Sequence, residues 1–251
     1  VHAGLLALDS ADDSALQRQA VNSRLQARLA LSTGAPERAL AILHGLEDLH
    51  RARLANEPDN RFWLDLYCRL HIDTSNADLI LGHVDVARTR AGDAIGLGRR
   101  LVAIDASVYD WSVDCLGGAL HSAARAAIEG GALADAASHL AEAATLAARG
   151  GTTLGRQLNE RQFAIKTAIL SARLAARSGD RTAARGLATD VIAEFEPIMP
   201  RSGLENRTYF MEAYLLAEEH AKAQSLADQL LALGYRHADF ERLRARLPSP
   251  T

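Results

Sequence analysis

The sequence predicts an all-α fold: one continuous right-handed solenoid of about five helical hairpins. Two observations carry this. Ala and Leu, both strong helix formers, supply about a third of the 251 residues, while β-branched residues are sparse. Several independent residue series also share one period. Gly34, Gly82, Gly131 and Gly179 are spaced by 48, 49 and 48 residues. Five positions after each stands an alanine: Ala39, Ala87, Ala136 and Ala184. Trp63 and Trp111 lie 48 apart, after the similar lead-ins Glu57-Pro58-Asp59-Asn60 and Asp105-Ala106-Ser107. Leu5-Leu6-Ala7-Leu8-Asp9 matches Leu101-Val102-Ala103-Ile104-Asp105 two periods on, and Leu230-Leu231-Ala232-Leu233 echoes it. A shared period of this length marks a stack of supersecondary units, each burying its apolar face against the next.

Each unit reads as a first helix, A, a glycine turn and a second helix, B. The glycine supplies the left-handed conformation that ends a helix cheaply. Pro36 suits the first turn of the helix after Gly34. The alanine five residues on lets two helices cross closely, where a larger side chain would force them apart. A helices are expected near 14–33, 60–81, 108–129, 157–177 and 204–219. B helices are expected near 35–56, 83–105, 132–149, 181–196 and 221–233. Gly92-Asp93 resembles Gly179-Asp180 and competes for the second turn, but Gly82 keeps both the period and the match at Ala87. Residues 1–9 read as the tail of a preceding B helix, and 235–251 as a terminal cap and tail. The whole chain, 1–251, is thus one repeat domain, and a start at Val1 rather than Met fits a piece of a longer protein.

These residues resemble tetratricopeptide (TPR) repeats: helix pairs with Gly at the turn, Ala five residues later, and Pro or Asn then an aromatic at the next start. The resemblance covers most of the chain. It departs in period, 48 residues rather than about 34, and in having few aromatics at the usual packing positions. A leucine-rich helix end, then Asp, then Trp is similar to divergent TPR-like arrays attached to bacterial transmembrane Ser/Thr kinases and winged-helix regulators. The resemblance implies a non-catalytic sensory or protein-interaction domain, periplasmic if attached to a transmembrane kinase and cytoplasmic otherwise. Its partner would be a protein or peptide on the concave face. The alternative is a small-molecule-sensing effector domain of a transcriptional regulator.

Charge and motifs narrow the functional classes. The net charge is −3, which argues against a dedicated nucleic-acid binder. No apolar run reaches the length of a membrane span. A kinase Gly-rich loop, His-Arg-Asp, Asp-Phe-Gly, a Gly-Lys-Ser/Thr phosphate loop and His-Glu-x-x-His are all missing from the sequence. No catalytic residue, cofactor or metal is assigned. His44, Glu47 and Asp48, near His50, share a helix face that could hold a metal, though a solvated face is the commoner reason for such a group. Asp12-Asp13 and Glu218-Glu219-His220 suit helix starts and turns. Cys68 and Cys115 stand about one period apart, and their pairing stays open.

The sharpest candidate for binding is a basic series. Arg28, Asn76, Arg125 and Arg173 each stand six residues before a turn glycine. Arg24 and His121 lie one turn earlier, with Arg69 and Lys166 a little further back. If A helices line the inner face, these residues form a polar stripe suited to an acidic peptide, since Arg binds carboxylates in a bidentate way. The competing reading is Arg favouring helix C-termini and bridging neighbouring acids. Trp63, Tyr67 and Trp111, near A-helix starts, serve either as packing between repeats or as a stacking groove for the same peptide.

Overall fold

A computed structural model describes residues 13–148 and 154–248. Among them every regular element is helical. The first four hairpins are α1 (Asp13–Ser32) with α2 (Pro36–Asn56), α3 (Arg61–Ile80) with α4 (Val84–Ile104), α5 (Gly118–Glu129) with α6 (Leu133–Ala147), and α7 (Leu154–Arg177) with α8 (Arg181–Phe195). The fifth joins α9 (Leu204–Leu216) to α10 (His220–Ala232), and α11 (Ala238–Arg244) follows as a cap. The chain is an all-α, TPR-like hairpin solenoid, with helix ends within a few residues of those expected. Residues 1–9 lie outside the described residues, as do 249–251 of the tail.

The hairpin turns share one hydrogen-bond pattern. The Gly34 N–H donates to the Leu31 carbonyl, and the Ala35 N–H donates to that of Ala30. The same pair of bonds recurs at Gly82/His83, Gly131/Ala132 and Gly179/Asp180. This is the Schellman cap, which requires a left-handed residue. All four glycines have φ between 76° and 86°. Gly92, the competitor, lies inside α4.

The fifth turn escaped the glycine series because it has none. Glu218 takes the position, with φ 64°, and its N–H and that of Glu219 make the same two bonds, to Leu215 and Tyr214. Five residues on stands Ala223, fully buried like Ala39, Ala87 and Ala136. Gly234 repeats the turn once more, leading into α11.

Two segments depart from regular α-helix. Where helix 108–129 was expected, Trp111–Gly117 forms a π-helical segment ahead of α5. It lies where backbones approach closely. A Cβ on Gly98 would stand 2.8 Å from the Leu116 Cα, and one on Gly117 would collide with the Phe163 ring. Glycine therefore lets α4 and α7 seat directly on this segment. After α8 the chain tightens into a 3₁₀ helix, Glu196–Arg201, whose Pro197 and Pro200 remove two backbone donors.

Apolar cores run between successive hairpins. One links Ala27, Leu43 and Trp63; a second links Leu64, Leu101, Leu120 and Phe163; a third links Ile165, Val191, Phe210, Leu230 and Phe240. A solenoid is stabilised through such nearest-neighbour interfaces.

A left-handed backbone costs a residue with a Cβ about 1–2 kcal/mol. Glu218 gives back little, because its ion pair with Arg185 is solvent-exposed on both sides. Glu218→Gly should therefore stabilise the protein by about 0.5–1 kcal/mol. Urea denaturation checks this, and a lowered midpoint would contradict the turn assignment.

Candidate functional site

The odd-numbered helices face inward and the even-numbered ones outward. A half-enclosed cavity of about 1090 Å³ is lined by residues of α1, α3, α5, α7 and α9, the π segment and the stretch around α11. No residue of α2, α4, α6, α8 or α10 reaches it. This follows from the repeat: each A helix presents the turn before its cap to the same side.

All eight polar candidates meet here: Arg24, Arg28, Arg69, Asn76, His121, Arg125, Lys166 and Arg173. The three aromatics do not. Trp63 is fully buried in the first core, edge-on to His50 and under the Arg53 guanidinium. Tyr67 is wedged between His50 and His71. Trp111 is half-buried against the second core. Near the start of an A helix, these side chains point into the junction with the preceding B helix, so the structure places them in packing positions.

The arginines do not form a free positive strip. Carboxylates of neighbouring A helices meet them, rung by rung. Arg24 Nε donates to Asp73 at 2.8 Å. Arg69 bonds Asp65 in its own helix and reaches Asp114 at 3.4 Å. Arg125 donates to Asn76 at 3.1 Å. Lys166 donates to Glu205 at 2.8 Å, and Arg173 Nε to Glu212 at 2.7 Å. His121 pairs with Thr167 at 2.8 Å and stacks on Phe163. Two further contacts cross the cavity. Arg125 donates to Asp239 at 2.5 Å, and Arg28 lies 3.6 Å from Glu205. Sequence reasoning found the bases by their phase to the glycines. It missed Glu205 and Glu212, which stand at the phases of Lys166 and Arg173 but before Glu218, a turn with no glycine to mark it, and it missed Asp73 and Asp239, which lie off those phases.

Burial and charge set the protonation states. Burial outweighs all else at His121, Lys166 adds to it, and the imidazole pKa falls to about 3. Burial likewise lowers His50, His71 and His237. The Lys166 ammonium holds the Glu205 carboxyl down at about 2. At Asp239 burial opposes ionisation, yet Arg125, His237 and Arg242 keep the carboxyl far below its usual range. The cavity at neutral pH therefore holds charged pairs and neutral imidazoles. Its lining carries nine Lys and Arg against six Asp and Glu, so cations are in excess.

The group His44, Glu47, Asp48 and His50 does not converge. Glu47 bonds Arg90, Asp48 bonds Arg51, and His50 turns inward to the Leu46 carbonyl. Among the described residues, no three His, Cys, Asp or Glu side chains stand close enough to hold a metal. Cys68 and Cys115 are both free and buried; Cys68 donates to the Ala94 carbonyl and Cys115 to Asp65. Among the described residues, no helix is long and apolar enough to cross a membrane.

The site and the helices define a class, the helical-hairpin repeat proteins. No family model matches the chain, and no curated protein matches it. A solved structure of related shape holds nearly identical TPR-like repeats of a kinesin light chain-like protein from Podosopora anserina. It is 18% identical, with 91% of this chain and 98% of that one covered, at a TM-score of 0.46. The fold assignment rests on the hairpin geometry above rather than on that likeness.

Two outcomes are expected. Arg173→Ala strands the Glu212 carboxylate, which is 4% exposed. Breaking a buried pair this way costs about 3–5 kcal/mol, whereas replacing both members with Met and Leu is close to neutral. Denaturation of the single and double variants separates ion pairing from mere packing.

The second outcome concerns acid. His50, His71, His121 and His237 take up a proton less readily folded than unfolded. Their contribution to stability is complete above the unfolded value of 6.5 and declines as pH falls below it, by up to about 1.4 kcal/mol per pH unit per histidine. Glu205 adds to the loss once pH falls from 4.5 toward 2. The urea midpoint should hold steady from pH 8 to 7 and drop by pH 5. A flat midpoint down to pH 5 would mean that the imidazoles are solvated.

Proposed function

We propose that this chain is a non-catalytic protein-interaction domain that takes an extended peptide segment, acidic in net character, within the concave cavity. The observation that carries this is the convergence of every A helix on one half-enclosed space, with the B helices outside. The excess of cations in the lining favours an acidic segment. Leu25 and Leu29, more than half exposed at the cavity edge, offer apolar contact beside Arg24 and Arg28. The structure changes the emphasis of the acidic reading: a ligand carboxylate must compete with Asp73, Glu205, Glu212 and Asp239 for its arginine.

The cavity volume also favours a second reading, a small-molecule-sensing effector domain, since ligand pockets of this type span about 300–1,000 Å³. A metabolite thermal-shift screen addresses it, because a specific ligand raises the melting temperature by mass action. The wider setting we propose is a larger bacterial signalling protein, with this domain outside the membrane if the protein is a transmembrane Ser/Thr kinase. That setting rests only on the resemblance of the repeat lead-in.

Selection from a displayed random-peptide library tests the main reading. Enriched peptides should be acidic, and Leu25→Trp with Leu29→Trp, which fill the cavity edge from exposed positions, should weaken them at least tenfold. Peptides unaffected by that change, yet weakened by substitutions on the outer α4 and α6, would move the interface to the convex face.

A further inference from the structure

The two ends of the array meet. The Arg236 N–H, just after the last turn, donates to the Ser32 carbonyl at the end of α1 at 2.8 Å. The approach is close: a Cβ on Gly34 would stand 2.9 Å from the Arg236 carbonyl oxygen. Across the cavity Arg125 grips Asp239, 114 positions along the chain. The solenoid is therefore closed into a ring, and its cavity has an edge that the chain itself bridges.

The bridge differs in kind from every other junction between hairpins among the described residues. Successive hairpins share buried apolar cores. The core of the first hairpin, around Leu43 and Trp63, and the core of the last, around Phe210 and Phe240, have no residue in common. What joins them is polar: the Arg236–Ser32 bond and the Arg28–Glu205 pair, while deeper in Arg125–Asp239 holds the α11 cap to α5 of the third hairpin. The Arg28–Glu205 pair is roughly half exposed on each side, the kind of contact that contributes little. On α1 the facing apolar side chains, Leu25 and Leu29, remain 57% and 64% exposed, so among the described residues these two do not seal the seam.

We infer that the ring is a clamp that opens at this seam, between the Ser32–Gly34 turn and the Tyr235–His237 stretch, with Asp239 on Arg125 as its lock. Among the described residues, opening there splits no apolar cluster, whereas opening any neighbouring junction divides a buried core. Local opening is set by such differences in buried apolar contact. A seam of this kind lets a chain segment enter the cavity sideways, without its end having to find the mouth. The inference concerns the free protein and stands whether the occupant is a peptide or a small molecule.

The adjacent amides Tyr235 and Arg236 provide an internal comparison. The Tyr235 N–H is bonded within its own hairpin turn, to the Leu230 carbonyl, and the Arg236 N–H is bonded across the seam. Amide hydrogen exchange of the full chain at neutral pH, read residue by residue, should show Arg236 exchanging at least tenfold faster than Tyr235 after correction for intrinsic rates. Asp239→Asn weakens the lock while keeping the side-chain shape, and should speed Arg236 further while leaving Tyr235 unchanged. Equal protection of the two amides in the unaltered protein overturns the inference. So does an Asp239→Asn variant in which both amides accelerate together, since that is unfolding of the terminal cap and not opening of a seam. Neither measurement uses a ligand, so failure of the peptide reading leaves this result intact.

Discussion

The architecture depends on one backbone constraint, a left-handed residue that closes each A helix and turns the chain back within three positions. Because the same two hydrogen bonds form at each turn, each B helix leaves at a similar angle. Because a buried alanine follows five residues later, each pair crosses at similar distance. Repetition of one local geometry then places every A helix on the inside. The cavity is a consequence of the turns, and no residue lining it needs to direct the fold.

Glycine at 34, 82, 131 and 179 made the turns visible in the chain, and the helix ends followed from them. The fifth turn shows where such reading stops. The backbone there needs the same conformation, yet Glu218 supplies it, so the signal survives only in Ala223. The π segment was equally hidden. It coincides with close approaches at Gly98 and Gly117 between residues far apart in sequence, and no local pattern announces it.

The cavity was half legible. Bases at a fixed distance before each glycine had to share a face, and they do. Among their acidic partners, Glu205 and Glu212 repeat the phases of Lys166 and Arg173 before Glu218, a turn without a glycine to mark it, while Asp73 lies off those phases and Asp239 comes from beyond the last full hairpin, so a reading anchored on the glycines saw only one side of each pair. The consequence is electrostatic. A strip of bare arginines would recruit any anion, and its long-range field would dominate encounter. A ladder of pairs presents little field at a distance and yields its arginines only to a ligand that can replace the internal carboxylate. The aromatics illustrate a different limit. Trp63 and Tyr67 stand at the right end of the right helix, but their direction is set by the B helix behind them.

The pairs that ladder the cavity wall join residues 39 to 49 positions apart, close to one repeat, whereas Arg125 and Asp239 are separated by 114. Chain entropy makes contacts of short separation form first. The helical array should therefore assemble by growth along its length, and ring closure should come last, after the rate-limiting barrier. Contacts absent at that barrier govern how fast a protein comes apart rather than how fast it forms. The closing lock thus bears on the lifetime of the native molecule, a kinetic property that a linear solenoid, fraying from two free ends, would have to obtain by capping each end separately.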